Sequence, residues 1–206
     1  TQALQTSLQR HVENGQIARL APVLTFQSVL DHTVSTRAVI RMLHERLPDN
    51  GSELVLFDVN RNTHFEQLLN ARADTALSRL LPPAPRQFRT SVVTNSTPGS
   101  DAMEVQVTPA GSTDTMTRPL GLAYPPDVYS LSHVAVPFPL SDGLYGLEPD
   151  SADYFGVRLG DVAARGEYGA LIVNIDMLLR MSSNPFFPYL LERLDADLPS
   201  APARQR

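Results

Sequence analysis

Apolar residues recur at two spacings along this chain, and the alternation between them predicts its elements. Leu4, Leu8, Val12, Ile17 and Leu20 follow roughly helical spacing across residues 2–20, with Gly15 ending or breaking the first helix. Pro22 then opens a strand over residues 23–28. Ser35 or Thr36 can cap the next helix, whose apolar positions Val39, Ile40, Leu43 and Leu47 line one face. The turn cluster Pro48-Asp49-Asn50-Gly51 leads into a second apolar run of strand type, residues 53–59. Residues 65–81 predict a helix stopped by Pro82-Pro83.

The second half has a different texture. Residues 89–95 read as a strand, and residues 104–108 alternate as a half-exposed strand should. Residues 109–127 are rich in Gly, Pro, Thr and Ser and carry little regular pattern. Residues 128–137 are strand-like, and 138–155 form a long loop rich in Gly, Pro and Asp. An apolar helix is expected over 170–181, interrupted by Asn184-Pro185 before residues 186–194; residues 199–206 read as a frayed end. Strand, helix, strand and helix in succession predict an α/β fold, a mostly parallel sheet with helices on its faces. No linker divides the chain into independent domains.

Composition narrows the function. The 206 residues are 42% hydrophobic, enough for one core of ordinary size. A net charge of −5 leaves no basic field for nucleic acid, and the positive charge is all arginine, scattered along the chain. With no Cys, zinc-thiolate sites and cysteine nucleophiles are excluded. No apolar run reaches the ~18 residues of a transmembrane helix. The chain starts at Thr1 inside what reads as a helix, so the natural N-terminus is expected further upstream.

Chemistry in open α/β sheets collects at the carboxyl ends of strands. Asp31, just past the strand at 23–28, stands at such an end, although aspartate there is equally at home in a turn or helix cap. Two histidines compete as its partner. His64 follows the strand at 53–59 after the polar loop Asn60-Arg61-Asn62-Thr63, and its spacing suits a return to the same sheet edge. His133 lies among small and apolar residues, where a base is sheltered from water. Spacing alone leans slightly to His64. No Gly-x-Ser-x-Gly nucleophile motif occurs; Ser100 and Ser112 follow glycines but read as turn serines. Asp142, Glu148, Asp150 and Asp153 lack calcium-loop spacing and read as a solvated acidic loop. His11, His32 and His44 make no metal spacing, and no cofactor is expected.

The segments Pro-Val-Leu-Thr-Phe-Gln-Ser-Val-Leu-Asp-His-Thr-Val (22–34), Leu-Val-Leu-Phe-Asp-Val-Asn-Arg (54–61) and Tyr-Ser-Leu-Ser-His-Val-Ala-Val-Pro-Phe-Pro (129–139) resemble the C-terminal half of bacterial α/β-hydrolases, the lysophospholipase or monoacylglycerol-lipase-like serine hydrolases. Leu-Tyr-Gly at 144–146 and Ser-Ser-Asn-Pro-Phe-Phe at 182–187 extend the resemblance over nearly the whole chain. It implies a Ser-His-Asp ester hydrolase in which Asp31 is the acid and His133 the base, with His64 as the alternative; its place, bacterial cytoplasm or cell envelope, is not set by the sequence. It also implies that residues 1–20 end a set of lid helices and that residues 21–206 are the C-terminal part of the core. The substrate would be a small or lipid-like ester. The departure is large: the nucleophile and the oxyanion-hole loop are missing, so they are expected from an N-terminal segment in cis or from a second chain. This polypeptide alone is expected to be inactive. The rival reading is a non-catalytic α/β binding or scaffolding module.

Overall fold

In a computed structural model, residues 2–31, 34–74, 76–126, 131, 138–147, 150–152, 169–172 and 183–197 are described. Helix α1 (Gln2–Glu13) ends at Gly15, whose φ of 67° puts it in the left-handed region that glycine adopts without a Cβ clash. A single 3-10 turn, Gln16–Arg19, leads to β1 (Leu24–Ser28). Ser35 caps α2 (Thr36–Val39), its Oγ accepting from the Ala38 amide, and the helix widens into a π turn over Ile40–His44. Strand β2 (Glu53–Asp58) is buried along its full length, as its unbroken apolar centre predicts.

The sheet order is β1-β2-β3-β4-β5, with β3 Arg89–Asn95, β4 Ala102–Thr108 and β5 Met116–Ala123. β1, β2 and β3 pair in parallel, and β4 and β5 are added antiparallel, so four of the five strands point the same way. Helices cover both faces. One face packs Leu54, Leu56 and Val92 against Ile40 of the π turn and against Leu77 and Leu80 of a later helix, α5 (Ala76–Leu80). The other packs Val55, Phe57, Val93 and Val105 against Phe186 and against Tyr189 of the C-terminal helix, α6 (Phe187–Asp197). This is the α/β class that the strand-helix alternation predicts.

Three expectations are corrected. The helix over 65–81 is broken into a 3-10 turn, Glu66–Leu68, and two short helices, α4 (Ala71–Asp74) and α5. Leu69 instead bridges antiparallel to Leu171: the Asn70 amide donates to Ala170 O and the Ile172 amide to Leu68 O. The same bridge takes residues 170–172 out of the helix expected there, and residues 173–182 lie outside the described part. Strand β5 arises in the stretch that showed no pattern. Among the described residues it is an edge strand, mostly exposed and carrying Pro119 and Gly121, so its burial alternation is confined to Leu120 and Leu122 and its strand propensity is low. The strand expected at 128–137 lies outside the described residues except for Leu131.

The long loop closes on the C-terminal segment. Pro139 bridges to Asn184, whose amide donates to Phe138 O at 2.7 Å. Asp142 Oδ1 accepts from the amides of Leu144 and Tyr145, and Tyr145 stacks on Phe138. Any Cβ at Gly146 would run into the backbone of Asp142 and Leu140, which explains the glycine of Leu-Tyr-Gly.

His44 is fully buried, its Nε2 3.0 Å from Thr25 Oγ1 and its ring against Phe88. Burial lowers its pKa from 6.5 to about 4. The unfolded chain therefore binds more protons between those values, so His44's contribution to stability is complete above about pH 6.5 and is lost as pH falls toward 4. Urea unfolding from about pH 7 to about pH 5 should show the protein losing roughly 2 kcal/mol that His44→Leu does not lose. Equal pH slopes in the two proteins would contradict this.

Candidate active site

Polar side chains gather at the carboxyl ends of the parallel strands. Asp31 follows β1 by three residues. Its Oδ1 accepts from the Val34 amide at 2.8 Å, closing a turn, and its Oδ2 accepts from Gln27 Nε2 at 2.9 Å. Gln27 is buried on β1 and also donates to Val34 O. The carboxylate is thus fixed in orientation from both the strand and the loop. One residue pair then brings a distant segment to this place: buried Ser28 donates to Leu131 O at 2.9 Å across 103 residues of sequence. Leu131 is itself buried, in a cluster with Phe65, Ala73, Ala170 and Leu171 that Leu30 packs against. His133, two residues on, lies outside the described residues.

His64 ends the short helix α3 (Arg61–His64) after β2. Among the described residues the carboxylate it meets is Asp101, not Asp31, with Nε2 3.2 Å from Asp101 Oδ1. Its ring centroid lies 6.4 Å from that of Phe65 and 6.4 Å from that of Tyr124. The loop is anchored from below by Asn60, fully buried with φ 59°, a conformation that costs a non-glycine residue about 1 kcal/mol or more. Its amide donates to Asn95 Oδ1 at 2.7 Å, and Asn95 Nδ2 donates to Ser100 O at 2.9 Å.

The chain gives no significant match to a protein-family profile, a curated protein or a solved structure.

Ser100 and Ser112 both serve turns. Ser100 Oγ accepts from the Ala102 amide and from Ser96 Oγ, and Ser112 Oγ accepts from the Asp114 amide. Neither stands at a strand-to-helix elbow, where a hydrolase nucleophile is activated. In the acidic loop, Asp142 and Asp150 accept from backbone amides of their own turns. Among the described residues no three His, Cys, Asp or Glu side chains group as metal ligands, and no helix is long and apolar enough to cross a membrane.

Three features were not anticipated from sequence: the Asp58–Arg61 pair, the Asn60–Asn95 clasp and the partnership of His64 with Asp101. The signal available was the cluster Asp58-Val59-Asn60-Arg61, polar residues closing an otherwise apolar strand. The partners of Asn60 and His64 lie on β3 and in the turn after it, and that pairing is not written in local pattern, whereas Arg61 stands three residues from Asp58 within the cluster itself.

Proposed function

We propose that this chain supplies the acid and base of a serine hydrolase acting on carboxylic esters, with Asp31 orienting His133 and the nucleophile contributed from outside these 206 residues. In such a site the imidazole takes and returns the serine proton, while the carboxylate fixes its tautomer and stabilises the imidazolium. The observation that carries the reading is the Ser28–Leu131 hydrogen bond, which holds the segment two residues before His133 at the end of β1, beside the loop that bears Asp31. The position of β1 adds support. Among the described residues it is an edge strand of the sheet, so a strand carrying a nucleophile elbow has a place to pair. Small or lipid-like esters are the substrate class, following the family resemblance of these segments.

The test is hydrolysis of a short p-nitrophenyl ester. The 206-residue chain alone is expected to be inactive. A polypeptide in which a Gly-x-Ser-x-Gly segment precedes it, in cis or as an added chain, is expected to turn the ester over. Inactivity of both, with the fold intact, would favour the reading of this domain as a binding or scaffolding module.

A further inference from the structure

A second cluster of chemistry lies apart from Asp31, on the sheet face that carries α2 and α5. At the carboxyl ends of β2 and β3 a cavity of about 200 Å³ is lined by Asp58, Arg61, Thr94, Ser96, Glu104 and Gln106 among others. The ladder builds its floor. Asp58 on β2 is paired with Thr94 on β3, and Thr94 with Glu104 on β4. Residues directly opposite on neighbouring strands share a face, so the three side chains form one row. The two carboxylates flank the threonine, their Cα atoms roughly 10 Å apart, two strand spacings. Gln106 Nε2 donates to Glu104 Oε1 at 3.0 Å and steadies that carboxylate.

The charge balance of the lining selects the ligand. Asp58 is only 8% exposed. Arg61 NH2 donates to its Oδ2 at 2.5 Å, and Arg61 Nε lies 2.5 Å from its Oδ1. The same guanidinium donates through NH1 to Ala73 O at 2.8 Å, so its donors are turned into the protein. Asp58 Oδ1 is buried and receives no hydrogen bond of good geometry. Burial pushes the Asp58 carboxyl up, and Arg61 opposes that rise. Two carboxylates against one committed guanidinium leave the cavity short of a positive charge. A phosphate or carboxylate ligand would meet repulsion there. The volume suits a molecule smaller than the drug-sized ligands of ordinary pockets.

We propose that this pocket binds a small primary ammonium group, held between the carboxylates of Asp58 and Glu104 with the hydroxyls of Thr94 and Ser96 as further acceptors. An ammonium presents three donors from one compact centre, which matches acceptors that arrive from three strands and a turn. The inference is independent of the Asp31–His133 reading.

The test is a titration of the 15N-labelled 206-residue chain with propylammonium chloride, followed by backbone amide shifts. Saturating shifts are expected at Thr94, Asn95, Ser96, Glu104 and Gln106, with a dissociation constant on the order of 1 mM for so small a ligand. Tetramethylammonium chloride, which has no N–H, and sodium phosphate are expected to give none. Glu104→Gln, at a partly exposed position, should keep the fold and weaken binding by about tenfold or more, and Thr94→Val should weaken it in the same direction. Absence of saturation would overturn the proposal, as would matching shifts from tetramethylammonium or phosphate. Undiminished binding by Glu104→Gln would overturn it too.

Discussion

Replacing His133 by alanine in the nucleophile-bearing protein is expected to lower kcat/KM for a p-nitrophenyl ester by about 10³-fold or more. A loss of that size is expected where a general base is removed. His64→Ala is expected to leave the rate within about threefold, because His64 meets Asp101 rather than Asp31 among the described residues. The two variants separate the alternatives that sequence spacing leaves open. An active His133→Ala beside a dead His64→Ala would move the base to the His64–Asp101 pair. Circular dichroism on both variants guards against reading a folding defect as lost chemistry, since His64 is partly buried beside Tyr124.

The largest expected effect on stability is at Glu53, a carboxylate only 3% exposed at the start of the buried strand β2. Ser91 Oγ donates to its Oε1 at 2.5 Å, Arg193 NH2 on α6 donates to its Oε2 at 2.6 Å, and Arg89 Nε lies 3.5 Å away. The cluster ties α6 to the sheet at the margin of the core that Phe186 and Tyr189 complete. Glu53→Leu removes the carboxylate and leaves the Arg193 side chain, 13% exposed, without it. Removing one partner of a buried ion pair costs about 3–5 kcal/mol, which should appear as a lowered urea midpoint with unchanged slope. Replacing both partners by apolar residues, Glu53→Leu with Arg193→Met, should recover much of that loss, because both buried charges go together. Arg118 and Glu192 are a contrast: their pair is 2.8 Å long but exposed, and Glu192→Ala should cost no more than about 1 kcal/mol. A Glu53→Leu variant as stable as the parent would contradict this account of how α6 is held.

Strands with a buried apolar face were legible in the sequence. Strand β3 falls at the residues its pattern predicts, and β1 and β2 differ from expectation by one residue at one end. Strand β5 was not legible, because it is held by pairing with β4 and its inward alternation is limited to Leu120 and Leu122, partly buried against the core. The break in the expected helix at 65–81 has a similar origin: a bridge to Leu171, about a hundred residues away, overrides local helical spacing. The site divides along the same line. Asp31 stands as a candidate because an aspartate just past an apolar strand is a local signal. Asp58 could not be set apart from a turn residue, since its burial depends on Arg61 and on its row with Thr94 and Glu104. Which histidine faces Asp31 is a long-range question, and the Ser28–Leu131 bond is the contact that bears on it most closely.

The most direct test of the central claim needs no nucleophile. In the 15N-histidine-labelled 206-residue chain, long-range nitrogen–proton spectra report which imidazole nitrogen of His133 carries the proton. If Asp31 orients His133, the neutral ring should hold its proton on the one nitrogen that faces the carboxylate. Asp31→Asn should redistribute that proton while leaving the His64 and His44 signals in place. A His133 signal indifferent to Asp31→Asn would contradict the account.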